Sequence, residues 1–249
     1  MKVSIITVCF NSEKTIQSTI ESVISQKKNY SDIEYIIIDG GSTDSTKSII
    51  DSYEDSIDYV VSEQDDGIYD AMNKGLSLAS GDIVGFLNSD DFYSDEQVIQ
   101  HVVKTFEKND VDCVYGDLKY VSQKNEKLVT RDWVSSSFLP GGFLKGWHPP
   151  HPTFFVKRSI YEKYGGYDLR YKIASDFDLM YRMLEKHMIR STYTPKCLVF
   201  MRDGGASNKS LKNIIKANLE CYNSIKINGG KPSIFFPVIK PLRKIIQIF

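Results

Sequence analysis

Three short acidic segments carry the residue types and spacing that could do chemistry. Asn88-Ser89-Asp90-Asp91 directly follows the apolar run Ile83–Leu87, so two adjacent carboxylates stand at a strand exit. Such a pair suits a hard divalent cation that also holds phosphate oxygens. The same acids also suit a helix entry, where they complement the dipole ahead of a cap at Ser94. Asp39-Gly40-Gly41-Ser42 likewise separates an apolar run from a helical pattern. Its glycines permit a tight turn and close approach of backbone to a ligand, and Asp39 can accept hydrogen bonds from a base or ribose. A plain turn with Ser42 as helix cap accounts for the segment as well. Asp176 and Asp178 open a third helical pattern. One of them could take a proton in a transfer reaction, and both also serve as ordinary first-turn acids.

These segments need elements to position them. Val3–Cys9, Tyr35–Ile38, Asp58–Val61 and Ile83–Leu87 read as short strands, the first two nearly continuous apolar runs of the kind buried on both faces. Helical spacing separates them: Ile16, Ile20, Val23 and Ile24 behind Asn11 and Ser12, then Ile49, Ile50 and Tyr53, then Ile68, Met72, Gly75, Leu76 and Ala79. Ser94-x-x-Gln97 predicts a capping box ahead of Val98, Val102, Val103 and Phe106. Alternating strands and helices predict an α/β fold with a mostly parallel sheet, whose ligands bind beyond the carboxyl ends of the strands. Asn11-Ser12, the Asp39 segment and the Asn88 segment would converge on that rim.

The second half is less regular. Val111–Tyr115, Leu118–Val121 and Leu128–Val134 read as strands and a small antiparallel portion. Pro140–Pro152 reads as a long loop, Ser159-x-x-Glu162 as a capped helix ending at Gly165-Gly166, and Ser175 as the cap of a helix carrying Phe177, Met180, Leu184 and Met188. His187 reads as a surface residue of that helix.

Composition narrows the field. The 249 residues are 41% apolar and 25% charged, with a formal net charge of −1, an ordinary globular mix that argues against nucleic acid as a partner. Cys9, Cys113, Cys197 and Cys221 lie far apart with no paired spacing, which argues against a zinc site or a disulfide framework. The opening apolar run is too short for a signal peptide core and no run reaches 18 residues, so the expected location is cytoplasmic.

The charge is unevenly spread: from Ser207 to Phe249, eight Lys and Arg face the single acid Glu220. Two regions follow, 1–203 as an α/β domain and 204–249 as a basic amphipathic helical extension with a hinge at Gly204–Asn208. Leu211, Ile214, Ile215, Leu219 and Tyr222 recur at helical spacing among Lys209, Lys212 and Lys216. A basic amphipathic segment can lie at an anionic membrane surface, and it can equally pack on its own domain.

At this point the motifs converge on a resemblance. The chain resembles a family 2 glycosyltransferase of the GT-A fold from Lys2 to Arg202, in a subgroup of bacterial enzymes that build cell-surface polysaccharides. VSIITVCFN resembles the opening strand and nucleotide-binding turn, IIIDGGSTDST the second nucleotide segment, and SEQDDGIYDAMNKGLSLASGDIVGFLNSDDFY the most specific stretch. SDFDL resembles the segment carrying the catalytic base of inverting members.

The resemblance implies a nucleotide-sugar donor, UDP-linked by commonest expectation, a glycan or lipid-linked acceptor, and Mn²⁺ or Mg²⁺ as cofactor. It also implies roles. Thr7, Cys9, Asn11, Asp39, Asp65, Lys74, Asn88 and Ser89 would line the nucleotide site. Asp90 would be the principal metal ligand, with Asp91 adjacent to metal and sugar. Asp176 would be the general base. His151 and Gly166, Tyr167 and Asp168 would lie near donor sugar and acceptor, and Trp147 beside His148 could form an acceptor wall or simply anchor its loop.

Two positions depart from the family pattern. Asn88 replaces the first acid of the Asp-x-Asp motif, keeping an oxygen acceptor but losing the charge. Met72 stands where many members carry Arg, so diphosphate neutralisation would fall to the metal, Lys74 or backbone amides. A nucleotidyltransferase would need a glycine-bearing loop after the first strand, and a dinucleotide enzyme a G-x-G-x-x-G; VCFNSEKT supplies neither. The remaining alternative is a non-catalytic sugar-nucleotide-binding subunit of a polysaccharide assembly complex.

Overall fold

The computed structural model describes residues 1–204, 211–237 and 240. The four expected parallel strands form: β1 (Val3–Cys9), β2 (Ile33–Asp39), β3 (Tyr59–Ser62) and β4 (Ile83–Phe86). They lie in the order β3-β2-β1-β4, all parallel. Every residue of β1, β2 and β4 is buried, because helices cover both faces. On one face Ile6, Val8, Ile36 and Ile38 pack with Tyr69, Ala71 and Met72 of α3 (Ile68–Leu78). On the other, Val3, Ile5, Tyr35 and Ile37 pack with α1 (Ile16–Gln26) and α4 (Val98–Lys108). α2 (Thr46–Asp51) completes the crossover between β2 and β3.

The second half extends the same sheet. Beyond β4 the order continues β8-β6-β9-β5, with β7 hydrogen-bonded to β6. These are β5 (Asp91–Tyr93), β6 (Cys113–Ser122), β7 (Asn125–Trp133), β8 (Phe155–Lys157) and β9 (Ser191–Arg202). β8 runs antiparallel to β4 and β6, and β5 antiparallel to β9, while β6 and β9 are parallel. The two strands expected between Val111 and Val121 are one, carried through Gly116, where an added Cβ would meet the Lys196 carbonyl at 2.7 Å. β5, β8 and β9 have no clear period in the sequence, because the first two are three residues long and β9 alternates polar and apolar residues irregularly.

Several expected caps are not caps. α1 begins at Ile16 behind Thr15, α4 at Val98 behind Gln97, and neither carries a side-chain cap bond. Ser94 Oγ instead donates to the Cys197 carbonyl (2.7 Å), tying β5 to β9. Ser159 lies inside α5 (Arg158–Tyr164). The helix expected through Met188 is α6 (Ser175–Met180), continued by a wider π turn over Tyr181–Lys186. His187 stacks on Tyr164, ring centroids 3.9 Å apart, and is half-buried.

The basic extension is docked where it is described. α7 (Leu211–Ile227) buries Asn218, Cys221, Ser224 and Ile225, and Phe236 packs on Phe177. The hinge assigned to Gly204–Asn208 lies, after Gly204, outside the described residues. No helix among the described residues is long and apolar enough to cross a membrane.

Two consequences are measurable. A Cβ on Gly75 would come within 2.4 Å of Ile6 Cγ2, so α3 rides on β1 through a bare backbone. Gly75→Ala is expected to destabilise by about 1–3 kcal/mol through overpacking, read as a lower denaturant midpoint. Glu34, 2% exposed, accepts bonds from Lys2, Ser4 and Ser80. Burial alone would raise its pKa, but those bonds hold it down to about 2. Its contribution is therefore present above the ordinary carboxylate pKa and lost as pH falls toward 2. The denaturant midpoint of the wild type should drop more steeply from pH 5 to pH 2.5 than that of Glu34→Gln.

Candidate active site

The carboxyl ends of β1, β2 and β4 deliver their polar loops to one rim. After β1, Asn11 adopts a left-handed backbone (φ 48°) and reaches the β2 loop. Its N–H donates to Ser42 Oγ (2.7 Å) and its Oδ1 accepts from Thr43 N–H (2.9 Å). Ser12 donates its N–H to Thr46 Oγ1 (2.7 Å) and shares a hydrogen bond with Ser89 of the β4 loop (2.8 Å). Three loops far apart in sequence are thus stitched into one surface.

Asp39 organises the β2 loop from beneath. It is fully buried, and its carboxylate accepts from Ser42 N–H (3.2 Å), Ser62 Oγ (2.6 Å) and the Cys9 thiol (3.7 Å). Asp65 lies against this loop: an added Cβ on Gly40 would stand 2.4 Å from Asp65 Oδ2, and Asp65 Oδ1 accepts from Gly67 N–H (2.8 Å). Asp65 is half-buried there.

Three expected nucleotide contacts are placed differently. Thr7 is fully buried and its hydroxyl accepts from Tyr35 (3.1 Å), since the β1 pleat turns it into the core. Cys9 is buried, and burial together with the Asp39 carboxylate pushes its thiol pKa far up, so it stays a neutral donor. Lys74 is committed to Glu63 (2.8 Å), Asp70 (3.5 Å) and the Gln64 carbonyl (3.1 Å). It fastens the Glu63–Asp65 segment.

In the β4 loop the two carboxylates separate. Asp90 is half-buried, and its carbonyl is held by Arg202 Nη1 (2.8 Å). Asp91 is the first residue of β5 and is fully enclosed, lying under Asp90 and not beside it on the surface. Burial pushes the Asp91 pKa well above the carboxylate range, and the neighbouring Asp90 charge adds to this; Asn88 and Arg202 oppose it. Asn88 Oδ1 and Asp91 Oδ1 are both enclosed without a hydrogen-bond partner among the described residues. Enclosed orphan oxygens beside an accessible carboxylate form an oxygen-only set that fits a hard divalent cation. Among the described residues no three His, Cys, Asp or Glu converge, so phosphate oxygens of a ligand would complete the shell.

The second half brings its own acid to this rim. Asp176, in the first turn of α6, is half-buried. Its Oδ1 accepts from Tyr69 Oη (3.2 Å) and from Phe177 N–H (2.8 Å). Tyr69 stacks on Tyr167 (centroids 5.6 Å, 22° between planes), and Tyr167 Oη shares a hydrogen bond with His151 Nε2 (2.6 Å). Burial lowers the His151 pKa against the opposing Asp176 charge, so its ring is neutral at pH 7. Tyr167 is further bracketed by Asn73, which accepts its N–H (2.8 Å) and donates to its carbonyl (2.9 Å). Gly166 is required there, since a Cβ would lie 2.4 Å from Asn73 Oδ1. Asp168 is held by Arg170, which keeps its pKa low.

Two acids singled out in the sequence act here as positioning groups, through partners that the sequence does not show. Asp178 is buried and holds Arg182 (2.7 Å), which donates to the carbonyls of Tyr164 and Gly166; Ser224 and Asn228 of the extension also donate to Asp178. Glu220, the lone acid of the basic extension, accepts from the N–H groups of Ile173 and Ala174 (2.9 and 3.0 Å) immediately before α6. Trp147 packs among Tyr115, Phe138 and Phe143, anchoring its loop. His148 bridges Trp133 and Phe177.

The family described as Glycosyl transferase family 2 matches residues 4–177. An uncharacterised glycosyltransferase of Mycobacterium tuberculosis is 37% identical over 184 residues, covering 72% of this chain and 68% of its own. A PGL/p-HBAD biosynthesis glycosyltransferase of Mycobacterium bovis is 28% identical, covering 82% of this chain and 78% of its own. Among solved structures, a Staphylococcus aureus TarS fragment in complex with UDP-GlcNAc aligns with a TM-score of 0.68 at 18% identity, over 88% of this chain and 66% of that one. A mannosyltransferase from Pyrobaculum calidifontis in complex with GDP-Man and Mn²⁺ aligns with a TM-score of 0.66 at 18% identity, over 96% of this chain and 68% of that one. The structural likeness is one of fold and the sequence match one of family: the chain belongs to glycosyl transferase family 2 and is a glycosyltransferase with a GT-A type fold.

Proposed function

We propose that this enzyme is an inverting transferase that moves a sugar from a nucleoside diphosphate, UDP by first choice, to a glycan or lipid-linked acceptor in cell-surface polysaccharide assembly. What supports the reading is that two acids from separate halves of the chain stand at element ends on this side of the sheet, Asp90 just after β4 and Asp176 in the first turn of α6, bonded to Tyr69 at the start of α3. In this reading Asn11, Asp65 and Ser89 face the nucleotide directly. Asp39 acts through its loop, presenting backbone and Ser42 to the base.

Asp90 would hold Mn²⁺ or Mg²⁺ with the enclosed Asn88 and Asp91 oxygens behind it. A cation there neutralises charge on the departing diphosphate. An acceptor hydroxyl is a poor nucleophile near neutral pH, and Asp176 would take its proton as the new bond forms. Tyr69 donates to Asp176 Oδ1 and so orients the carboxylate. His151, Gly166, Tyr167 and Asp168 would frame the sugar. Displacement from the face opposite the nucleotide inverts the anomeric carbon, and no second carboxylate nucleophile is needed.

A membrane-facing role for the extension is compatible with its outer surface. Ile215, Leu219, Ile227, Ile234 and Phe235 are exposed on the described part, among Lys212, Lys216, Lys226 and Lys231. In this reading the inner face of α7 braces Asp176 through Glu220, and the outer face meets anionic lipid carrying the acceptor.

Calorimetric titration of UDP and GDP with and without Mn²⁺ tests the donor site. Binding of one nucleotide should depend on metal and fall at least tenfold in Asp90→Ala; binding of neither would overturn the reading. Asp176→Asn should lower kcat by about 10²–10⁴ while leaving nucleotide affinity unchanged. Equal losses of affinity and turnover would remove Asp176 from the role of base.

A further inference from the structure

The site has a charge problem. A nucleoside diphosphate brings several negative charges to a rim already lined by Asp65, Asp90 and Asp176. Several cations near those acids are engaged elsewhere. Lys74 is held by Glu63 and Asp70, Arg170 by Asp168, Arg182 by Asp178, and Arg202 by Glu126.

Arg131 on β7 is different. Its guanidinium lies over the Tyr120 ring (4.3 Å to the centroid) and near the Trp133 ring (5.3 Å), so two aromatic faces hold its plane. Nε and Nη2 are enclosed, yet neither donates a hydrogen bond among the described residues. An enclosed guanidinium with unused donors is out of keeping with how buried polar groups are normally satisfied. The planar fork it holds ready matches phosphate oxygens.

Sheet register puts Arg131 and Asp91 in one row, three strand steps apart. Arg131 pairs with Tyr120 across β7 and β6, Tyr120 with Met201 across β6 and β9, and Met201 with Asp91 across β9 and β5. One row therefore links the arginine to the metal-binding turn. On the other side, Trp133 meets His148, which meets Phe177, the neighbour of Asp176. Burial raises the Tyr120 hydroxyl pKa, and the Arg131 guanidinium stacked on its ring opposes the shift.

We propose that Arg131 is a phosphate-binding residue of this enzyme, taking the terminal phosphate of the donor's diphosphate and supplying the cation that Lys74 cannot. The inference rests on the nucleotide-sugar reading above. Phosphoryl oxygens on the acceptor share this chemistry, and the assignment to the donor follows from the row that leads to the Asp90–Asp91 turn.

The test compares wild type, Arg131→Gln and Arg131→Lys by calorimetry with UDP, UMP, GDP and GMP in Mn²⁺, alongside thermal unfolding. The wild type should favour the diphosphate over the monophosphate. Arg131→Gln should lose at least tenfold in diphosphate affinity with monophosphate affinity changed less than twofold; Arg131→Lys, which keeps charge but not the fork, should fall between. If the wild type binds a diphosphate and both variants bind it equally well, this proposal is wrong and the donor reading survives, and the arginine then belongs to the acceptor side or to β7 packing. If the wild type binds no nucleotide, the donor reading itself fails. A Gln variant that unfolds is replaced by the Lys variant, whose unchanged diphosphate affinity would equally overturn the assignment.

Discussion

A parallel core buried on both faces leaves its polar groups almost nowhere to go except the strand ends, and the rest of this molecule follows from that constraint. β1, β2 and β4 are enclosed along their whole length between α3 on one side and α1 and α4 on the other. Asp39, Asn11 and Asp90 fall at or just beyond the last buried residue of their strands. The loops then satisfy each other: Asn11 with Ser42 and Thr43, Ser12 with Thr46 and Ser89. A rim built this way is positioned by sheet register, which makes it stiffer than loops of the same length on an open surface.

The second half joins this core through the β4–β8 pairing and a cluster of aromatic contacts around Tyr167. Tyr167 lies flat on Tyr69, is pinned by Asn73 at its backbone, and meets His151 at its hydroxyl. This brings α6 to the end of α3 and places Asp176 within reach of the Tyr69 hydroxyl. The extension supports the same point from behind. Glu220 caps the segment before α6, and Ser224 and Asn228 complete the shell of Asp178. The basic extension is thus part of the site's scaffold wherever it is described, whatever its outer face touches.

Charge balance shows how tightly the rim is arranged. Most of its cations are committed to named carboxylates, and those pairs fasten segments to one another. Lys74 holds the Glu63–Asp65 strand exit and Arg202 holds the Asp90 carbonyl. What stays unsatisfied is correspondingly informative. The enclosed oxygens of Asn88 and Asp91 and the enclosed guanidinium nitrogens of Arg131 are complementary in kind, the first set suited to a cation and the second to an anion. A metal-bound diphosphate would answer both.

By itself the sequence determined the fold class, the four parallel strands to within two residues at their ends, and the acids on the rim. Those features are local: continuous apolar runs, helical spacing and acids directly after a strand. Burial and partnership belonged to the tertiary structure. Thr7, Cys9 and Asp91 look in sequence like groups that face a ligand, yet the strand pleat turns Thr7 and Asp91 inward and packing encloses Cys9. Lys74 reads as a free cation until α3 sets it beside Glu63 and Asp70. The roles of Arg182, Glu220 and Arg131 carry little local signal, because each also reaches groups more than ten residues away: the Tyr164 and Gly166 carbonyls, the N–H groups before α6, and the Tyr120 ring. Only folding, which pairs β7 with β6, sets α6 against Tyr69 of α3 and packs α7 on α6, decides which of these charges hold the protein together and which are left for a substrate.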